Sequence, residues 1–275
     1  MENISAIVII VLTLLISYRG FKNPSFFKHY LFEVDAILVE KQYIRLISSG
    51  FLHSGWVHFI FNMLTLYFFC DVLILKIGYL YFLLIYFTSL LGGNLFALYL
   101  HRNDSHYSAI GASGAVCGVI FACIALFPDI KLGFFGLQPF MPSWLYAIFF
   151  VLYSLYGIKS KDDNIGHEAH LGGALVGMTF TLALYPNIIL VNYLPIMLVY
   201  IPTTYFLYLL ITSPEYMMAD NAHWRQSQYH NVEDNYNHVK FAKQSEIDRI
   251  LDKISSKGIN SLTKEEKKTI DNFSN

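Results

Sequence analysis

At 275 residues, with 55 % of them hydrophobic and 14 % charged and a mean hydropathy of +0.44, the chain is too apolar for an ordinary soluble domain and reads as a polytopic membrane protein. A formal net charge of -1 supplies no basic field, so nucleic acid is excluded as a partner class. Cys70, Cys117 and Cys123 lie in apolar stretches without metal-ligand spacing; they read as buried free thiols, no metal is expected, and they report no redox compartment.

Set against the roughly 20 apolar residues that cross a bilayer, seven segments are candidate spans, some of them short. The first, Ile4–Tyr18, has no basic n-region before it and ends at Ser17-Tyr18-Arg19 without a small-x-small cleavage site, so it is expected to be a retained span. No lipidation signal is expected at either end. The long connection from Arg19 to Gly55 mixes Phe26, Phe27, Tyr30 and Phe32 with charges, which suits a segment lying in the membrane interface. Trp56–Leu75, Tyr79–Leu100, Ile110–Phe127, Trp144–Ile158, Ala169–Tyr185 and Ile188–Ile211 follow, the last carrying Pro195 and Pro202.

After Ile211 the composition turns polar. Residues 213–244 read as a linker and residues 245–275 as a helical hairpin. In that hairpin Ile247, Ile250, Leu251 and Ile254 recur at helical spacing, Gly258 is a stop, and Thr263-Lys264-Glu265-Glu266 opens a second short helix as a capping box. The expected division is a core over 1–186, an additional span over 187–212, the linker and the hairpin.

Polar groups are costly in hydrocarbon, so those that persist at membrane depth face a cavity or one another. Three sets stand out. His58 and Asn62 lie four residues apart on one helix face, and such a pair by itself is ordinary interhelical glue. Ser113 follows the polar approach HRNDSHYSAIG and falls in the first turn of its helix, where unpaired N–H groups and the dipole favour negative charge. A lone Gly-x-Ser-Gly is also an ordinary packing unit. The third set, Gly166-His167-Glu168-Ala169-His170, is one residue short of the His-Glu-x-x-His of zinc proteases.

The joint pattern is stronger than its parts. Gly114, Gly118 and Ala122 in the fourth span, and Ala169, Gly173 and Gly177 in the sixth, recur at every fourth position and form stripes that allow close helix approach in lipid. Packing those stripes together carries Ser113 and His170 toward hydrogen-bond reach, as a serine activated by a base requires. His58 and Asn62 then have a use as donors to a developing oxyanion.

With these residues in hand the sequence resembles the rhomboid family of intramembrane serine proteases. HFIFN (His58, Asn62), GASG (Gly111, Ser113, Gly114) and AHLGGALVG (Ala169, His170, Gly173, Gly177) agree with it in order, spacing and span number over roughly residues 1–186. The resemblance implies an all-α transmembrane bundle with a six-span core, here with a seventh span, and a Ser113–His170 dyad without an acidic third member. It also implies an oxyanion site from the Ser113 N–H, His58 and Asn62. Arg45 falls where the family carries a Trp-Arg pair in the first loop, and His53 matches a histidine found just before the second span. Three departures stand beside these. Ile44 replaces the tryptophan, Cys117 replaces an aromatic residue one turn after the serine, and Ile74 stands where an acid is common, with Asp71 close by.

The implied function is cleavage of single-pass or other membrane-protein substrates in the lipid bilayer, with water as second substrate and no cofactor. Water would enter between the polar loops His101–Ser108 and Lys159–His167. Two rivals are weighed: a proteolytically inactive relative that binds or escorts membrane proteins, and a transporter or channel. The first would be expected to lose Ser113 or His170, and the second to spread ionisable residues along several spans or to show an internal repeat. The family's orientation puts the N-terminus inside, against the weak counter-signal of Arg19, Lys22 and Lys28. An Ile-, Lys-, Asn- and Tyr-rich chain of this size points to a multi-pass protein of a bacterial cell membrane.

Overall fold

The computed structural model describes residues 4–105, 107–132, 141–160 and 165–212, together with Ile250, Lys253 and Thr263. The chain divides into two compact units, Met1–Arg225 and Gln226–Asn275. The linker lies outside the described residues. So does the hairpin, apart from Thr263 and the helical Ile250 and Lys253.

The first unit is helical. α1 (Ile4–Lys22) is followed by α2 (Pro24–Tyr30), which opens with Asn23 accepting from Phe26 N–H (2.9 Å) and a proline in its first turn. α3 (Val34–Leu38), α4 (Arg45–Ser48) and a 3-10 turn (Ser49–Phe51) complete a connection that is folded along much of its length. α5 (Trp56–Leu100) merges the second and third candidate spans. Gly78, at φ 79° and ψ 168°, leaves helical geometry between them. Each arm, 56–77 and 79–100, is about 33 Å long at 1.5 Å per residue.

α6 (Ser113–Leu126), α7 (Ser143–Ser160) and α8 (His167–Leu184) follow, then the short α9 (Ile188–Val191) and α10 (Tyr193–Thr212), which tolerates Pro202 inside it. The strands among the described residues are two-residue ribbons. β1 (Phe32–Glu33) pairs antiparallel with β2 (Ser108–Ala109), and β3 (Lys131–Leu132) with β4 (Met141–Pro142).

By length and apolar composition α5 is the one helix among the described residues that meets the requirement for crossing a membrane; α6 and Tyr193–Leu209 are apolar but shorter. α6 is buried on every side from Gly114 to Leu126, as expected of a helix that is apolar all round. It packs with α5 and α8 in the centre, while α1 leans on α5 and α10 on α7. Large apolar side chains such as Leu15, Val57, Leu75, Leu80, Leu152 and Ile201 face outward, an arrangement suited to lipid rather than water.

The centre is held by close backbone approach. A Cβ on Gly173 would overlap the carbonyl of Gly114, and one on Gly177 the carbonyl of Gly118. α5 joins the same contact: a Cβ on Gly93 would overlap Ala169 O, the carbonyl that a Cβ on Gly114 would also approach. At the far end of α6, Asn192 donates its amide to Ala125 O (2.8 Å) and Leu126 O (3.4 Å), satisfying carbonyls that the helix leaves unpaired. The Thr179 and Tyr200 hydroxyls hydrogen-bond between α8 and α10.

Gly177→Ala is expected to cost stability at the upper end of the about 1–3 kcal/mol typical of overpacking, because the opposing group is backbone and cannot rotate away. Gly55→Ala, where nothing lies within 4 Å, is the comparison without overpacking, and it loses only glycine's advantage over alanine at the N-cap of α5. Thermal unfolding of both variants in detergent checks the contrast.

Candidate active site

Two chain segments lead into the site. Ser113 is the first residue of α6, and the chain reaches it through Gly111 at φ +118°, a backbone conformation that favours glycine. A Cβ on Gly111 would stand 2.8 Å from Cε1 and Nε2 of His58 and 3.8 Å from Ser113 Oγ. One glycine thus permits the turn and admits the His58 imidazole beside the serine. Gly111 N–H donates to Ser49 O (3.0 Å) and Ala112 N–H to His53 Nε2 (3.5 Å), which pins the turn to the first connection. Val116 N–H donates to Ala112 O (3.0 Å), so the amides of residues 113–115 have no intrahelical acceptor and lie at the positive end of the helix dipole.

His170 lies in the first turn of α8, its N–H donating to Gly166 O (3.1 Å). The helix starts two residues earlier than its apolar pattern, at His167. His170 Nε2 is 2.6 Å from Ser113 Oγ. The ring has Phe150 of α7 at 6.3 Å between centroids and 31° between planes, and His167 at 6.1 Å. Cys117 is buried within α6, so α7 supplies the aromatic neighbour instead. Phe150 escaped the sequence reading; its available signal is the Tyr146 and Phe150 pair one turn apart, with centroids at 6.0 Å.

His58 Nδ1 is 3.1 Å from Ser54 Oγ, and its ring stands edge-on to His53 at 4.8 Å. Asn62 is buried, and its amide donates to His58 O (3.0 Å), on its own helix. Arg45 is also buried but serves the first connection: Nη1 donates to Lys28 O (2.9 Å) and Leu31 O (2.8 Å), Nε donates to Gln42 Oε1 (2.7 Å), and Glu33 lies 3.6 Å away. Ile44, in the tryptophan's place, is 60 % exposed, and Ile74, in the acid's place, is in the apolar core. His101, expected in a polar rim around a water entrance, is instead buried.

His53 is fully buried, and both its nitrogens are used. The Ser17 hydroxyl donates to Phe51 O (2.8 Å) and lies 2.9 Å from His53 Nδ1. Since that hydroxyl has one proton, Nδ1 carries the ring proton and Nε2 accepts from Ala112. Burial, and then neighbouring His58, push this imidazole from 6.5 down to about 3.

A family model described as "Rhomboid domain" matches residues 40–187, more than half the chain, and one described as a "Family of unknown function (DUF6576)" matches residues 230–275. RHOMBOID-like protein 12, mitochondrial, of Arabidopsis thaliana is 29 % identical over 176 residues, covering 58 % of this chain and 52 % of that protein. Rhomboid protein 1, mitochondrial, of Saccharomyces cerevisiae is 30 % identical over 151 residues, 52 % of this chain and 44 % of that protein. YdcA of Bacillus subtilis is 32 % identical over 135 residues, 48 % of this chain and 63 % of that protein. The chain spans about half the length of the first two relatives. Both are named as mitochondrial, and the expectation of a bacterial cell membrane draws no support from them.

The His53 environment has a pH signature. Below about pH 6.5 the unfolded chain binds a proton at this residue that the folded chain refuses until about pH 3. Its contribution is therefore complete above the unfolded value and is lost as pH falls through that window. The thermal midpoint in detergent is expected to drop between pH 7 and pH 5 in the parent and to drop less in His53→Gln. Equal drops would place the acid sensitivity elsewhere.

Proposed function

We propose, given that this chain belongs to the rhomboid family, that it is an intramembrane serine endopeptidase in which His170 activates Ser113 to cleave membrane-anchored protein substrates. The observation that carries the reading is the 2.6 Å approach of His170 Nε2 to Ser113 Oγ, between residues 57 apart in sequence. A serine is a weak nucleophile until a base at this distance takes its proton.

In the proposed reaction the Ser113 oxygen attacks the scissile carbonyl while its proton passes to His170 Nε2. The imidazolium then gives that proton to the leaving amine, and water hydrolyses the acyl-enzyme by the same route. The Ser113 N–H, at the open start of α6, is one donor for the oxyanion. If the Ser54 hydroxyl donates to His58 Nδ1, His58 Nε2 carries a hydrogen and is a second donor. Asn62 has two amide hydrogens and uses one on His58 O, which leaves one for the oxyanion.

The same reading makes residues 1–186 a multi-pass core of six spans with the helix over 187–212 as a seventh, and makes the tail from 213 separable from catalysis. Its support is the row of apolar helices and the outward-facing apolar side chains, and, for the part of the tail from Gln226 onward, the division of the chain into two units.

A fluorophosphonate probe is expected to label the purified protein at Ser113. Ser113→Ala should abolish labelling, and His170→Ala should reduce it severely; labelling that survives Ser113→Ala would overturn the reading. His58→Ala and Asn62→Ala should each lower turnover of a transmembrane substrate by about 10²–10³, the usual effect of losing one preorganised donor. A truncation ending near Ser213 should retain labelling.

A further inference from the structure

One buried polar cluster beside the dyad is unused by this mechanism. Glu168 stands two residues before His170 and is 6 % exposed. Its Oε1 accepts from Nε2 of His101 (3.0 Å), the residue that caps α5, and its Oε2 accepts from the Tyr107 hydroxyl (3.4 Å). The His101 and Tyr107 rings are stacked, with centroids 3.5 Å apart and 8° between planes. An ionised carboxylate can only accept, so both partners donate to it. Burial, and then the Glu168 charge, raise the Tyr107 phenol well above its ordinary 10, which keeps its proton in place.

Tyr107 belongs to the segment that enters Ser113. Its carbonyl accepts from Val34 N–H (3.2 Å), its ring stands edge-on to the buried Phe32 at 6.0 Å, and Ser108 and Ala109, the residues that follow it, form β2 against β1. Glu168 belongs to the first turn of α8, where a negative charge is favoured by the helix dipole. The two approaches to the dyad therefore meet at one carboxylate.

From this juxtaposition we propose that Glu168 is a positioning residue: through His101 and Tyr107 it ties the segment entering Ser113 to the turn that carries His170, and so sets the distance between hydroxyl and imidazole. The inference rests on the Ser113–His170 reading of the site. Removing one member leaves the others buried and unsatisfied, so the turn shifts to find water or new partners. A shift of about 1 Å is enough to cost about 10²-fold in rate.

The test uses the full chain in detergent, with kcat and KM on a transmembrane substrate and amide hydrogen exchange over residues 107–116 and 167–175. Glu168→Ala is expected to lower kcat about 10- to 100-fold with KM little changed. Tyr107→Phe, which keeps the ring and removes only the hydroxyl, should act in the same direction and more weakly, and Glu168→Gln should recover part of the loss. The Tyr107→Phe/Glu168→Ala pair should be no slower than Glu168→Ala alone, because the two act through one contact. Exchange should rise in both segments together in each variant. Unchanged kcat, an effect on KM alone, or losses that combine as independent sites would overturn the proposal. If Glu168→Ala does not fold, Tyr107→Phe and Glu168→Gln carry the same readouts. A parent that neither labels nor cleaves refutes the protease reading separately; exchange then decides alone, and a rise confined to one segment, or none, overturns the tie.

Discussion

Where α6 crosses α8 no side chain separates the two backbones. Gly173 faces the carbonyl of Gly114, and Gly177 faces that of Gly118. Lipid supplies little hydrophobic drive between helices, so such contacts must come from van der Waals fit at short range. Ser113 stands one residue before Gly114, and His170 three before Gly173, so the crossing brings the two side chains into range of each other. Neither residue has to be steered to the other by a long flexible arm.

The connection between α1 and α5 supplies the second constraint. Arg45 gathers carbonyls from Lys28 and Leu31, Asn94 of α5 donates to Leu46 O (2.8 Å), and His53 and Ser49 accept from the amides just before Ser113. What could have been a loose interfacial stretch is a folded bracket for the Gly111 turn. A neutral imidazole suits that place, since it can give at one nitrogen and receive at the other without a charge to bury.

Some of this was legible in the sequence for a physical reason. Helices in a bilayer satisfy their own backbone, so polar residues and small-residue stripes carry most of the remaining information. Ser113, His170, His58 and the glycines of both stripes were readable in that way. What was not readable depends on partners far off in the chain. Glu168 was visible only as a member of a zinc motif of the wrong length, because its partners His101 and Tyr107 lie 67 and 61 residues away. Phe150 reaches His170 from α7 across a packing interface that no local spacing encodes. The folded state of the first connection depends likewise on Arg45 reaching back 14 and 17 residues.

The amide of Asn192 against the last carbonyls of α6 has a consequence for the order of synthesis. Those carbonyls sit at the end of the most deeply buried helix, and the group that satisfies them is made 67 and 66 residues later than the residues it meets. Until the chain has been extended through α9, the floor of the central helix is open to lipid or to whatever holds the nascent protein. The helix that carries the serine is thus made well before the residue that closes its far end.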